Sequence, residues 1–325
     1  MSSATDWFWD WLRLSRSDPP GLAGDDEERA RLYRAALQQF EDLMRAAGST
    51  GVSARPLPLF YALSQASQAI IAAYGSPGSG THGLSCRDPM EPLLETPVRP
   101  HKDIGDFQIL ADAVDSPALA ESVELGALLC ALPELGVDAL LNDRWLRCLP
   151  VWPEHQDPRM RGPWIRTGVE FPEWPNDGDE VKRVLSSYSV RQGGWRDVGS
   201  EYGLGQPSSI YTVSGRAVGI DFLTSKGDLD EVIPPYRWLE RRWLRPLLVG
   251  KEPPSPLVTW WALLLGLSSL ARYHPVPWSQ ALDPDSSPLA APLERVMREA
   301  MDALPQLVTE AVFQRRLLVP PPVLM

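Results

Sequence analysis

The longest uncharged apolar run in the chain lies between Leu257 and Ala271. A helix without a polar face must be surrounded by other elements of the fold. Ser255 stands where a helix N-cap is expected, and Pro256 takes the first helical position, where a missing amide proton costs nothing. The run is shorter than the roughly 20 residues that cross a bilayer, and it ends in Arg272-Tyr-His-Pro. The pattern therefore predicts a buried helix at the centre of the fold.

Three other long segments carry apolar residues at helical spacing. The first follows the acidic residues 25–28, which favour a helix N-terminus, and ends near Gly48. The second covers residues 58–75, where alanines repeat at a spacing that lets another helix approach closely. The third covers residues 289–312, with Pro305 as a predicted kink. These segments predict helices that can pack around the central one.

Shorter patterns complete the reading of the helical parts. The alternating aromatic residues 7–11 predict an anchor of ambiguous register that packs onto another element. Residues 106–110 read as a strand, and Ser116-Pro117 reads as the start of a helix that continues to Leu129. Each of these segments is bounded by proline or glycine, which are the usual breakers between elements.

A change of composition marks the middle of the chain. From about residue 150 to residue 235, β-type residues alternate with glycine and charge. Residues 163–171 predict a strand, and residues 209–222 predict a hairpin that turns at Ser214-Gly-Arg216. Helical character is predicted to return over residues 236–245. The middle of the chain therefore predicts a small antiparallel sheet.

The fold class that follows is α+β and predominantly α-helical. We expect a helical bundle around the buried helix in the C-terminal half, with the antiparallel sheet as an insertion. The predicted parts are an N-terminal helical part (1–146), a β-rich insertion (147–235) and a C-terminal helical part (236–325). Because the C-terminal helices alone could hardly cover an all-apolar helix, we expect the two helical parts to share one core.

Charge and composition limit the classes of partner. The net charge of −11 and the pI near 4.9 argue against a broad nucleic-acid surface, because such surfaces are basic. Three cysteines without a C-x-x-C spacing support neither a disulfide framework nor a zinc knuckle. The N-terminus lacks the pattern of a signal peptide, and no run is long enough to span a membrane. We therefore expect a cytoplasmic protein with no membrane partner.

The sequence lacks the common catalytic and cofactor motifs. It contains no Walker loop, no G-x-G-x-x-G after a strand, no G-x-S-x-G and no H-E-x-x-H. We therefore predict no cofactor and no metal. His82 and Cys86 as a metal pair lack a second pair of ligands nearby.

Arg272 and His274 are the first candidate site residues, at the C-terminal end of the central helix. One interpretation is structural, because cations at this end of a helix bond its last carbonyls and are favoured by its dipole. The other is catalytic, because histidine transfers protons near neutral pH and arginine holds a phosphate. Helical HEPN-type ribonucleases use such a pair, although they place a few more residues between its members.

His82 is the second candidate, in the loop Gly80-Thr-His-Gly-Leu84 that follows the alanine-faced helix. A histidine between glycines can face a pocket, and it can equally be a turn residue that bonds a carbonyl. If the segments come together, His82, Arg272 and His274 share one site. Gln65, Gln68 and Tyr273 are candidate binding residues in the same segments.

Residues 237–245 are a third candidate, with four arginines, one glutamate and two tryptophans. Basic residues interleaved with aromatics are what single-stranded nucleic acid requires, and we predict Arg241 and Arg242 as binding residues. The alternative is an amphipathic helix that buries its tryptophans while its arginines cover acidic neighbours.

Three blocks of sequence resemble the YaaC-like family of bacterial proteins. The first is Phe60-Tyr-Ala-Leu-Ser-Gln-Ala-Ser-Gln-Ala-Ile71 with Thr81-His-Gly-Leu84 after it, and the second is Leu125-Gly-Ala-Leu128 with Leu132-Pro-Glu-Leu135. The third runs from Trp260 to Pro275 and ends in Ala-Arg-Tyr-His-Pro. The resemblance implies an architecture and a bacterial origin. It carries over no activity and no functional residue.

The function predicted from these observations is that of an accessory protein that binds another macromolecule. Another protein is the first partner expected, and nucleic acid at residues 237–245 is the second. The alternative is a metal-independent, HEPN-like ribonuclease or a nucleotide-handling enzyme that uses Arg272 and His274. Whether the side chains of Arg272 and His274 lie beside His82 in the fold distinguishes the binding protein from the enzyme.

Overall fold

The computed structural model describes residues 4–78, 80–135, 144–153, 164–171, 178–188, 195–197, 217–223, 233, 237–238, 241–250 and 252–315. The chain forms two compact units. The first comprises Met1–Trp145 and Pro254–Met325, and the second comprises Leu146–Pro253. The division into three parts with limits at residues 146 and 235 stays a prediction about domains.

The described helices and strands alternate with short connections. The helices are α1 (Ala4–Ser15), α2 (Leu22–Asp25), α3 (Glu27–Ser49), α4 (Pro56–Tyr74), α5 (Asp106–Ala113), α6 (Leu125–Cys130), α7 (Gly178–Leu185), α8 (Pro256–Tyr273), α9 (Pro275–Ala281) and α10 (Ala290–Phe313). The strands are β1 (Leu84–Ser85), β2 (Pro97–Pro100), β3 (Val123–Glu124), β4 (Leu149–Pro153), β5 (Trp164–Glu170), β6 (Trp195–Asp197), β7 (Ala217–Leu223), β8 (Arg237–Trp238) and β9 (Arg241–Leu244). The predicted class, α+β and predominantly helical, is confirmed.

Helix α8 is the buried central helix that the apolar run predicts. It begins as expected, because Ser255 caps it by accepting a hydrogen bond from the amide of Val258 at 3.4 Å, and Pro256 occupies its first position. Its residues 257–268 are all buried. Among the described helices, none is both long enough and apolar enough to cross a membrane.

The neighbours of α8 come from both ends of the chain. The indole N–H of Trp260 donates to Glu134 Oε1 at 3.1 Å, and both residues are fully buried. The ring of Trp261 lies 5.3 Å from that of Phe60 on α4 and 5.4 Å from that of Phe107 on α5. Elements before residue 146 therefore cover the central helix within the first unit.

Helices α3 and α4 form the most extensive helix pair of this unit. The Asp26 carboxylate caps α3 by accepting from the amides of Glu28 and Arg29. Arg29 in turn donates to carbonyl oxygens of Ala72 and Gly75, each at 3.0 Å, and so caps the end of α4. The alanine face of α4 is buried, as the close approach of a second helix requires; it comprises Ala62, Ala66, Ala69 and Ala73.

The aromatic N-terminus is a helix, which settles the register that the sequence leaves ambiguous. Phe8 and Leu12 lie one turn apart on α1 and are both buried. Glu41 on α3 accepts side-chain hydrogen bonds from Arg13 and Arg16, which attach α1. Burial alone would raise the pKa of Glu41, but the bonds from these arginines lower it overall. The carboxylate is therefore held in its charged form.

Two short predictions are wrong, and both failures come from local or tertiary hydrogen bonds. Residues 106–113 form helix α5, because Gln108 Oε1 accepts from the amide of Gly105 at 2.9 Å and caps the first turn. The helix predicted from Ser116 to Leu129 is shorter than expected and is limited to α6, which begins at Leu125. Val123 belongs to β3 instead, where it pairs with Val98 of β2. The pairing of β1, β2 and β3 places the loop that carries His82 next to the start of α5.

The second unit contains a six-stranded antiparallel sheet in the order β6-β7-β5-β4-β9-β8. The strand predicted at residues 163–171 is confirmed as β5. The first arm of the predicted hairpin, residues 209–213, lies outside the described residues, and β7 covers the second arm. Helix α7 contributes Val181 and Leu185 to the buried core of this unit.

The helix predicted at residues 236–245 is wrong, because residues 237–238 form β8 and residues 241–244 form β9. Strand β9 pairs with β4, so that Trp243 lies opposite Pro150 and Leu244 opposite Leu149. The pairing partner is distant in sequence, and tertiary hydrogen bonding overrides the local helical pattern.

Candidate functional site

The end of α8 presents an exposed arginine that is held by aromatic rings. The Arg272 guanidinium carbon lies 5.3 Å from the ring centre of Tyr61 on α4 and 5.2 Å from that of Tyr273. Arg272 Nη1 also donates to the Tyr273 hydroxyl at 3.2 Å. A cation within about 6 Å of an aromatic face is attracted to it, so these rings hold the guanidinium in place.

Arg272 has no carboxylate partner among the described residues. Several other arginines form ion pairs, for example Arg13 with Glu41 and Arg298 with Glu299. The arrangement leaves most N–H groups of the Arg272 guanidinium available to an external acceptor.

His82 lies in the same part of the first unit. Its ring meets the ring of Phe60 edge-on at 5.1 Å and that of Trp261 at 5.9 Å, while the residue remains exposed. Phe60 and Tyr61 are consecutive on α4, so His82 and Arg272 pack on neighbouring residues of one helix. That these two side chains share one site stays a prediction.

Burial and three ionisable residues act on the pKa of the His82 imidazole. Its partial burial lowers the pKa of the imidazole, Asp106 on α5 acts in the opposite direction, and Arg272 and His101 lower it further. His82 is therefore mostly neutral at pH 7. A neutral imidazole both donates and accepts hydrogen bonds, depending on its tautomer.

The loop of His82 is fastened to the start of α5 and to the residue after β2. The carbonyl oxygens of Thr81, His82 and Gly83 accept from the amides of Asp106, Phe107 and His101, at 2.8, 3.3 and 2.9 Å. Gly83 has a φ of +77°, and a Cβ on Gly105 would lie 2.3 Å from Gly83 Cα. Only two glycines can approach this closely, so the position of His82 depends on the pair.

His274 directly follows the last residue of α8. Its backbone N–H donates to Leu270 O and caps α8, and its Nε2 lies 2.8 Å from the carbonyl oxygen of Arg87. The imidazole thus bonds to the chain itself. Neither the His274 imidazole nor the Arg272 guanidinium bonds a carbonyl of α8, and the site roles expected of these two residues stay predictions.

The candidate glutamines lie on the exposed side of α4. Tyr61, Gln65 and Gln68 follow one another at helical spacing and lie on one face of α4. Gln68 Nε2 donates to Asp106 Oδ2 at 2.8 Å, and the side chain of Gln65 makes no hydrogen bond to a described residue. Gln65 therefore adds an amide that is available to a ligand.

The arginines of residues 237–245 do not form one exposed stripe. Arg245 is 5% exposed and Trp243 is 3% exposed, while Arg242 is partly exposed. The backbone of Arg241 pairs with that of Trp238, and the side chains of Arg237 and Arg241 lie outside the described part. Nucleic-acid binding by Arg241 and Arg242 stays a prediction.

Other reactive groups in the described part of the chain do not build a second centre. Burial raises the pKa of the Cys86 thiol to about 11, so this cysteine is protonated at neutral pH. Where side chains are described, no group of three His, Cys, Asp or Glu residues is arranged to hold a metal ion.

Three residues near the candidate site were missed by sequence reasoning. Tyr61 offered the only sequence signal, because it precedes Gln65 by one helical turn. His101 lies in a proline-rich connection, and only strand pairing places it beside Gly83. Ile104 is 69% exposed and directly precedes Gly105, yet nothing in its sequence context marks it.

The comparisons with known proteins identify the family of the chain. Residues 11–312 match the family model described as YaaC-like Protein. No curated protein and no solved structure matches the chain. Because the match covers most of its length, the chain belongs to the YaaC-like protein family.

Proposed function

We propose that the chain is an accessory binding protein that recognises another protein through one surface of the first unit. This arginine–tyrosine surface is formed by Tyr61, His82, Arg272 and Tyr273. The observation that carries the proposal is the exposed Arg272, which is stacked on two tyrosines and has no carboxylate partner among the described residues. Tyrosine and arginine are enriched among the residues that dominate the energy of protein interfaces.

Exposed apolar residues next to this surface support a protein partner. Tyr273 is 63% exposed and Tyr61 is 38% exposed. Val276, in the first turn of α9, is 65% exposed, and Ile104, directly before α5, is 69% exposed. Large exposed apolar side chains beside an exposed arginine are typical of a protein-binding patch. Nucleic acid is disfavoured because the chain has a net charge of −11.

An enzyme is the second candidate, and one observation favours it. His82 is mostly neutral at pH 7 and is electrostatically coupled to Arg272, which suits a general base beside an anion-binding group. A metal-independent ribonuclease or nucleotide-handling enzyme would then use Arg272 with His82, while His274 keeps its bond to Arg87 O.

The binding function is tested by replacing Arg272 and a matched arginine on α10. Proteins captured by the wild-type chain from its native cells are identified, purified and titrated against each variant. We expect Arg272→Ala to weaken binding of the purified partner by about tenfold or more, because a charged hydrogen-bond donor is lost. Arg298→Ala should bind like wild type, since its 64% exposed side chain pairs with Glu299.

Both variants should melt within about 2 °C of wild type, because neither removes buried contacts. Equal affinity of Arg272→Ala and wild type would contradict the proposal.

The same proteins are incubated with single-stranded RNA in the presence of EDTA. Cleavage that disappears in both His82→Ala and Arg272→Ala would establish the enzyme instead of the binding protein.

A further inference from the structure

One face of α1 presents large apolar side chains to solvent. Trp7, Trp11 and Leu14 follow one another at spacings of four and three residues, which place them on one side of the helix. Trp7 is 37% exposed, Leu14 is 69% exposed, and Trp11 between them is half-buried. The ring centres of the two tryptophans lie 4.8 Å apart, so that the indoles form one continuous surface. We call these three side chains the tryptophan stripe.

The stripe is distinct from the face that attaches α1 to the first unit. Phe8 and Leu12 are buried on the attached face, and the ring of Trp9 lies 5.1 Å from that of Phe40 on α3. Large apolar side chains that stay exposed as a group mark a surface that another molecule covers. Within the described part of the chain, the stripe is therefore open to a further partner.

The two edges of the stripe carry opposite charges. Helical spacing places Asp6 and Asp10 along one edge. The end of α10 lies along the other edge, where the ring of Phe313 meets that of Trp11 edge-on at 5.1 Å. The exposed Arg315 follows this end, and its guanidinium carbon lies 4.9 Å from the ring centre of Trp11. One apolar surface is thus bordered by acid on one side and by an arginine on the other.

We infer that two copies of this chain associate through their tryptophan stripes. Spacings of four and three residues are those of a two-stranded helical seam, in which the apolar residues of one helix meet those of the other. A two-fold axis along the helices sets each edge of the stripe against the opposite edge of the second copy, whereas a perpendicular axis sets each edge against itself. The charges favour the first arrangement, with parallel helices and Asp10 facing the second copy's Arg315.

The same charges distinguish a second copy from a lipid surface. Helices that lie on membranes carry lysine and arginine beside their apolar face, and anionic lipid attracts them. The acids Asp6 and Asp10 occupy that position on α1. A second copy instead offers an arginine to the acidic edge and an acid to the basic edge. Because α1 has only 12 residues, the contact is small and the dimer should form and dissociate readily.

Sedimentation equilibrium of the full chain at about 1 to 200 µM measures the association. We expect the mass to rise with concentration from that of one 36.1 kDa chain towards that of two. Leu14→Glu should weaken the association by about tenfold or more, because it places a charge in the apolar contact. Leu32→Glu is the matched control, since Leu32 is 46% exposed on α3, and it should associate like wild type.

Exchange of the edge charges tests the parallel arrangement. Asp10→Arg and Arg315→Asp should each weaken the association, because each places like charges opposite one another. The chain that carries both changes should associate about threefold or more tightly than either single variant, since opposite charges then face one another again. Asp10 also bonds Arg13 within its own chain, so the recovery in the double variant carries more weight than the loss in Asp10→Arg.

Three results would overturn the inference. The first is the mass of a single chain at every concentration, and the second is a dimer that Leu14→Glu and Leu32→Glu weaken equally. The third is a double charge variant that associates no better than its single variants, which would exclude the parallel pair. The full chain is also mixed with vesicles of phosphatidylcholine and phosphatidylserine. A monomer whose binding to these vesicles is abolished by Leu14→Glu would identify a lipid surface as the occupant instead.

Discussion

Trp260→Phe is expected to lower the free energy of unfolding by about 1–3 kcal/mol more than Trp261→Phe. Both residues are fully buried and adjacent on α8, so the two changes remove the same atoms from the same core. The Trp260 indole donates to the buried Glu134 at 3.1 Å. The indole nitrogen of Trp261 has no hydrogen-bond partner among the described residues. Only the first change takes a donor from a buried carboxyl group.

Urea unfolding followed by far-UV circular dichroism measures this difference. Glu134→Leu supplies the control, because Trp260→Phe should cost less in that background, where the acceptor is already absent. Equal losses for Trp260→Phe and Trp261→Phe would show that the bond to Glu134 does not hold α8 in the core.

Gly105→Ala is expected to destabilise the first unit by about 1–3 kcal/mol, as overpacking of a closely packed site does. The added Cβ would lie 2.3 Å from both Cα and N of Gly83, and backbone atoms cannot move aside as a flexible side chain can. The loop of His82 must then separate from α5, which also weakens its bonds to Asp106 and Phe107.

Thermal unfolding of Gly105→Ala and of Gly51→Ala tests this prediction. Gly51 is the control because a Cβ there meets no atom within 4 Å and its φ is not positive. We expect Gly51→Ala to melt like wild type and Gly105→Ala to melt clearly lower and to lose partner binding. A Gly105→Ala chain with wild-type stability and affinity would show that the glycine contact does not position His82.

The sequence was sufficient where local signals and burial agree. Ser255, Pro256 and the uncharged run after them predict where α8 begins and that it is buried, because cap, proline and hydrophobicity all act within one segment. The same agreement predicts α3, whose acidic first turn follows the Asp26 cap. Local patterns failed at residues 106–110 and 241–244, where a cap from Gln108 and pairing with β4 decide the structure.

The site could be predicted only in part, because it is made by contacts between distant segments. Arg272 and His82 were selected from their positions at a helix end and in a glycine loop. That Arg272 stacks on Tyr61 depends on how α4 and α8 pack, and that His274 bonds Arg87 O depends on where the segment after β1 lies. His101 lies next to the loop of His82 because its backbone amide, directly after β2, donates to the carbonyl oxygen of Gly83. No local pattern in the sequence indicates this bond.

The central claim is that His82 and Arg272 belong to one site, and titration of the His82 imidazole by NMR tests it most directly. His82→Gln assigns the signal, and the pKa is measured in wild type, Arg272→Ala and Arg298→Ala. We predict a wild-type pKa below the usual 6.5, a higher pKa in Arg272→Ala because a neighbouring cation is removed, and no change in Arg298→Ala. A His82 pKa that is the same in Arg272→Ala as in wild type would contradict the claim.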